Sequence, residues 1–104
     1  MPASPTQRTL AYLRKNGWLA QVTEKWIPGA NIRKDLWGFV DVLAIKGTEI
    51  LGVQSTSYAN TSARVKKIEE SEHVDAVREA GIAIHVHGWR KVKNRWHVRI
   101  VDCS

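Results

Sequence analysis

The stretch Leu36-Trp37-Gly38-Phe39-Val40-Asp41-Val42-Leu43-Ala44-Ile45, with the returning Ile50-Leu51-Gly52-Val53-Gln54-Ser55-Thr56, decides how the chain reads. Residues 36–45 are apolar at odd and even positions alike, which predicts a central strand covered on both faces. Lys46-Gly47-Thr48-Glu49 reads as a turn, and residues 49–54 as the strand that comes back. With Gly47-Thr48 as a two-residue II′ turn, Lys46 pairs with Glu49, Ile45 with Ile50, Leu43 with Gly52 and Asp41 with Gln54. Opposed side chains stand about 4.5–5.5 Å apart at Cβ. Two polar groups from two oily strands are therefore expected to meet, with Thr56 two residues on and Gly52 leaving room beside them.

The flanking elements follow from local signals. Ser4 suits an N-cap, Pro5 the first helical position, and Gln7 completes a Ser-x-x-Gln box. A helix is predicted over 5–16, with Leu10 and Leu13 in its apolar stripe and Asn16-Gly17 as its stop. Residues 18–27 alternate as one strand, with Trp18, Ala20, Val22, Glu24 and Trp26 on one face. Pro28-Gly29 ends it, and 28–35 reads as a loop. Residues 60–80 are helical in composition, with Ser71 a point of division and Gly81 the close. Residues 82–87 alternate as a strand, 88–94 read as a basic turn, and 95–101 alternate again, with Trp96, Val98 and Ile100 on one face. The order αβββαββ implies one α/β domain over 1–104, a mixed sheet of about five strands flanked by helices.

Composition narrows the classes. The chain has 104 residues, 43% hydrophobic and 25% charged, which fits one packed domain. No apolar run reaches the roughly 18–20 residues of a membrane span, and no secretory leader is expected. The single cysteine, Cys103, excludes an internal disulfide and a cysteine-rich zinc site, and reads as inert. Sixteen Lys and Arg against ten Asp and Glu give a net charge of +6, which favours a polyanionic partner.

Asp41 needs an explanation, because an unpaired buried carboxylate costs on the order of several kcal/mol. One account is a purely structural Asp–Gln hydrogen bond capped by an Arg or Lys. The other is a divalent-metal site for phosphate chemistry. A hard cation wants carboxylate, amide and backbone oxygens, which Asp41, Gln54 and the Ser55 carbonyl offer.

At these residues the chain resembles the PD-(D/E)XK nuclease superfamily, the restriction-endonuclease-like and Holliday-junction-resolvase-like fold. Gly38-Phe39-Val40-Asp41-Val42-Leu43-Ala44-Ile45, a short hairpin, then Ile50-Leu51-Gly52-Val53-Gln54-Ser55-Thr56 looks like that family's Asp strand followed by its Glu-x-Lys strand. The element order over nearly the whole chain is similar too, most of all to small phage and bacterial members with Val-Gln-x-Thr in the third motif. The resemblance implies Mg²⁺ or Mn²⁺ as cofactor, DNA as substrate, a cytoplasmic setting in a bacterium or phage-infected host, and the symmetric dimer that such small nucleases often form. It makes Asp41 the metal-binding aspartate. Gln54 stands where the second acidic ligand is usual, and Thr56 where the lysine is usual. Gln7 is nearest to the acid that many members carry in the first helix.

Glu24, an acid on an apolar face, is the first candidate for the missing charge, either as a metal ligand or as an edge glutamate paired with a surface cation. Asp35 is a weaker candidate, or a loop carboxylate paired with Arg33 or Lys34. Lys25, Lys34 or Lys66 is a stand-in for the absent lysine. The catalytic set is thus Asp41, Gln54, Thr56 and Glu24, and the metal set is Asp41, Gln54, Ser55 and Glu24.

Lys34, Arg64, Lys66, Lys67, Arg90, Lys91 and Lys93 are the expected nucleic-acid contacts. In the basic run 89–96, Trp96 reads as a core anchor and Trp89 as either anchor or stacking platform. His85, His87 and His97 admit a zinc reading, with the sheet-capping role favoured. The functional expectation is a metal-dependent DNA endonuclease. Its alternatives are a catalytically silent, nucleic-acid-binding relative and a basic structural or protein-interaction subunit.

Overall fold

The computed structural model describes residues 3–104. Helix α1, Pro5–Lys15, starts where Ser4 Oγ accepts the Gln7 N–H at 3.2 Å. It stops in a Schellman turn: Gly17 N–H donates to Arg14 O, and Trp18 N–H to Leu13 O, with Gly17 at φ +88°. Five strands build the central sheet in the order β1-β4-β5-β6-β7: Leu19–Val22, Val42–Lys46, Glu49–Ser57, Ala83–Val92 and Arg95–Asp102. All neighbours are antiparallel except β5 and β6, so the sheet is mixed. A 3₁₀ turn, Tyr58–Asn60, and helices α2, Thr61–Glu69, and α3, Val74–Glu79, make the crossover between the two parallel strands. Ser71 lies in the gap between these helices, as the sequence implied.

Two apolar layers sandwich the sheet. On one face Leu10 and Leu13 of α1 pack on Ala20, Val42, Ala44, Leu51 and Val53. On the other, Ile68, Val74 and Val77 pack on Phe39, Val40, Ile84 and Val86. The Cα radius of gyration, 13.5 Å, is that of one compact domain of this length (about 13 Å).

The hairpin register is the expected one: Lys46 faces Glu49, Ile45 faces Ile50 and Leu43 faces Gly52. The strand before the turn is shorter than its apolar run. Residues 36–40 close a tight loop instead, with Leu36 and Val40 exchanging backbone hydrogen bonds at 3.0 and 2.9 Å. Trp37 and Gly38 take positive φ there, +55° and +83°. The run is apolar because Phe39 and Val40 belong to the second core layer, with Leu36 and Trp37 packed against it.

That loop also breaks the strand expected over 18–27. Beyond Val22 the ladder partner is gone, and Thr23 N–H donates to Asp41 O at 2.7 Å. The chain then pairs with itself: β2, Lys25–Ile27, the end of the expected strand, and β3, Ile32–Lys34, inside the expected loop, form a separate two-stranded sheet. The basic run 88–94 is no turn either. Strand β6 continues to Val92, and only Lys93 and Asn94, both at positive φ, turn the chain. Trp89 is a core residue, 8% exposed, whereas Trp96 is 45% exposed, with the Arg8 guanidinium 3.5 Å from its ring centre. Its strand is a sheet edge, and the Arg8 side chain of α1 covers it only in part.

Thr9 ties α1 to the sheet. Its hydroxyl accepts from Ser55 Oγ at 2.8 Å and from Trp89 Nε1 at 3.0 Å, and lies 3.2 Å from His87 Nδ1. Two accepted bonds leave the Thr9 proton for His87, so Nδ1 is the acceptor and Nε2 carries the ring proton. Burial, with His85 beside it, lowers the His87 pKa to about 4 and keeps the ring neutral. Thr9→Val preserves volume but leaves three buried partners unpaired. It is expected to cost about 3 kcal/mol, a drop in Tm of about 15 °C. Thr9→Ser, which keeps the hydroxyl, should cost about 1 kcal/mol; thermal melts of the pair check this.

Candidate metal centre

Asp41 sits at the start of β4, 3% exposed, its N–H on Val53 O. Two hydrogen bonds from β5 land on one side-chain oxygen: Oδ2 accepts from Gln54 Nε2 and from Ser55 N–H, each at 2.8 Å. The expected Asp41–Gln54 contact is therefore present. Ser55 serves both networks, since its amide holds Asp41 while its hydroxyl holds Thr9. Gln54 is 3% exposed, and its amide oxygen Oε1 is buried without a hydrogen-bond partner, alone in this among the described residues. A buried carbonyl left without a donor is costly, and a cation is one way to satisfy it.

The break after β1 carries Glu24 inward, and the loop before residue 36 does the same for Asp35. One carboxylate oxygen each from Glu24, Asp35 and Asp41 lie within 4.8 Å of one another. Two cations partly balance them: Arg33 Nη1 stands 3.5 Å from Glu24, and Lys67 Nζ 3.3 Å from Asp35. The Asp41 carboxyl is pushed up to about 8. Burial is the main cause, a hydrogen bond with the Asp35 carboxyl and the charges of Asp35 and Glu24 add to it, and the Ser55 N–H opposes it. The site thus gathers three acids, two cations and the proton that Asp41 keeps at neutral pH.

These groups line an open cavity of about 470 Å³, together with Ser4, Thr6, Thr56, Ser57, Asn60 and Arg64. Thr56 reaches it as expected. Gln7 does not: it is exposed, and the first helix offers Ser4 and Thr6 instead. Asp35, rated below Glu24 in the sequence, is its equal here, and its cation is Lys67 rather than Arg33 or Lys34.

Of the cations expected to hold phosphates, Arg64 and Lys67 line the cavity. Lys66 turns away to Glu70, at 3.9 Å on the same helix. Lys34 is exposed on β3 opposite Lys25, so none of Lys25, Lys34 and Lys66 replaces the absent lysine at the cavity; Lys67 is the lysine found there. The Arg90 guanidinium lies 4.3 Å from the centre of the Tyr58 ring, next to the cavity residue Ser57. Lys91 and Lys93 stand on the exposed end of the β6–β7 ribbon and do not line it.

The three histidines do not converge. His87 is committed to Thr9, His85 lies 3.8 Å from Asp102, and His97 pairs with Arg90 further along the ribbon. Cys103 is buried, and burial raises its thiol pKa, as suits an inert group. No helix among the described residues is long and apolar enough to cross a membrane. No family model, curated protein or solved structure matches the chain.

The oxygen set fits a hard divalent ion: three carboxylates and one unpartnered amide oxygen. Asp41 also sets a pH signature. Its folded pKa, about 8, exceeds the unfolded 3.8, so its contribution to stability is present in full below about 4 and lost as pH rises through 8. Between pH 6.5 and 8, stability should fall by about 1 kcal/mol per pH unit in EDTA. Asp41→Asn, which keeps an oxygen for Gln54 and Ser55, should abolish that fall and be the more stable protein at pH 9. Mn²⁺ should raise the Tm of the wild type and not of the variant.

Proposed function

We propose that the protein is a divalent-cation-dependent DNA endonuclease with a restriction-endonuclease-like core. The observation that carries this reading is the convergence of Glu24, Asp35 and Asp41 beside the unpartnered Gln54 Oε1, in a cavity rimmed by Arg33, Arg64 and Lys67. Asp41, Glu24 and Asp35 would hold Mg²⁺ or Mn²⁺, with Gln54 Oε1 as a neutral ligand. A bound ion at such a site polarises a phosphodiester and lowers the pKa of an attacking water.

The chain's own residues supply the rest. Ser55 N–H and Gln54 Nε2 orient the Asp41 carboxylate. Lys67 provides the ammonium that Thr56 does not, at the charge that develops on the phosphate. Arg64, with no ion-pair partner among the described residues, is free to meet a backbone phosphate. Arg33 and Lys67 are tied to acids, and ligation of those acids would release both cations toward the DNA.

The departures at Gln54 and Thr56 favour a second reading, a silent relative that grips nucleic acid through the same rim without cutting it. The test is cleavage of supercoiled plasmid, single-stranded and branched DNA with Mg²⁺ or Mn²⁺. Wild type should cut at least one substrate. Asp41→Asn should lose more than about a hundredfold, beyond what loss of a metal's outer partner brings, and Lys67→Ala should cut slowly while still binding Mn²⁺. Salt-sensitive retention without cleavage would favour the silent relative. No retention at low salt would favour a structural or protein-interaction subunit.

A further inference from the structure

The β2–β3 ribbon has features that the fold alone does not require. Lys25 stands directly opposite Lys34, Trp26 opposite Arg33 and Ile27 opposite Ile32. Like charges in that position repel, and a lone two-stranded ribbon is marginal in water. Trp26 is 52% exposed and Ile32 51%. Opposed residues share a face, so Trp26 stands with Arg33, the residue that reaches Glu24 in the acidic cavity. Lys25 and Lys34 project from the other face. A ribbon that sets two lysines against each other and leaves an indole in water is destabilised by itself. Both features become favourable against a polyanion with free aromatic faces.

We propose that this ribbon is an arm for DNA with unpaired nucleotides. Lys25 and Lys34 take backbone phosphates, Trp26 stacks on an unpaired base, and the adjoining strand is held at the Glu24–Asp35–Asp41 cavity. The inference rests on the nuclease reading in that DNA is its occupant, and it adds a substrate class: single-stranded or forked DNA over intact duplex. A duplex keeps its base faces stacked and offers Trp26 nothing to cover.

The test is retention of fluorescently labelled single-stranded, forked and duplex DNA, measured by anisotropy in EDTA, so that no cleavage enters. Trp26→Ala should weaken single-strand and fork binding about tenfold and duplex binding less than about twofold. Trp26→Phe should restore most of the loss. Lys25→Gln with Lys34→Gln should reduce the salt slope on single strands by about 1.4, with a Tm equal to or above wild type, since a repulsion is removed. Lys15→Gln, on the last turn of α1, is the control for loss of a remote charge. The proposal is overturned if Trp26→Ala binds all three DNAs as wild type does, or if the lysine pair lowers Tm and weakens all binding together, as a structural role would. The two readings fail separately. Trp26-dependent retention with no cleavage in Mn²⁺ removes the nuclease and keeps the arm. Asp41-dependent cleavage, with Trp26→Ala binding and cutting forks at wild-type level, removes the arm and keeps the nuclease.

Discussion

The site depends on one electrostatic constraint: three carboxylates with an oxygen each within 4.8 Å of one another, where burial penalises the charge of Asp41. Like charges this close cannot all ionise without compensation. Arg33 and Lys67 answer two of them from partly exposed positions, where water weakens each pair. The third, Asp41, is the most buried of them, and its carboxyl is pushed up to about 8, so a proton answers it. A divalent ion at the same centre would replace that proton with two positive charges. The arrangement is poor as a stabilising device, and its charge would suit a bound cation.

The surrounding fold keeps the acids from spreading apart. Asp41 is fixed from the side of β5 by Gln54 Nε2 and by the amide of Ser55. The same Ser55 reaches through its hydroxyl to Thr9, and Thr9 gathers His87 and Trp89 from β6. One residue of β5 thus joins the first helix, two central strands and the acidic centre into a single buried polar chain. Every Thr9 lone pair and proton is used, which is the condition under which such a network rigidifies rather than destabilises. Gly88 extends the same precision to the crossover: a Cβ there would lie 2.1 Å from Thr61 Oγ1, so the start of α2 sits directly on β6.

Much of this is legible in the sequence, and each failure has a physical cause. The register from Lys46–Glu49 back to Asp41 and Gln54 followed from turn length and period-two alternation, both local facts. The first helix followed from Ser4, Pro5 and Gly17. Residues 36–40 mislead, because an apolar run looks the same whether it is a strand covered twice or a loop packed into a core. Gly38 carried the hint, since glycine takes positive φ without steric cost. From that error came the next two. With β4 taken as longer than it is, nothing ended β1 at Val22, and the β2–β3 ribbon stayed hidden. Asp35 was underrated because its neighbours in sequence, Arg33 and Lys34, looked like its partners, while its actual cation lies 32 residues away on α2. Trp96 was misplaced because alternation reports a face without saying whether anything covers it.

Charge accounting links the acidic centre to the basic rim. Ion-free, the three acids, Arg33, Lys67 and the proton on Asp41 come to a formal charge of zero. Exchange of the proton for a divalent ion would bring the same centre to one positive charge, and Arg64 on the cavity wall adds one more in either state. The cavity so changed would complement an anion such as a phosphodiester more strongly. Metal and polyanion would then favour each other's binding, since each supplies the charge that the other lacks. A buried Asp–Gln pair that served only strand register would need neither Glu24 and Asp35 beside it nor an amide oxygen left without a partner.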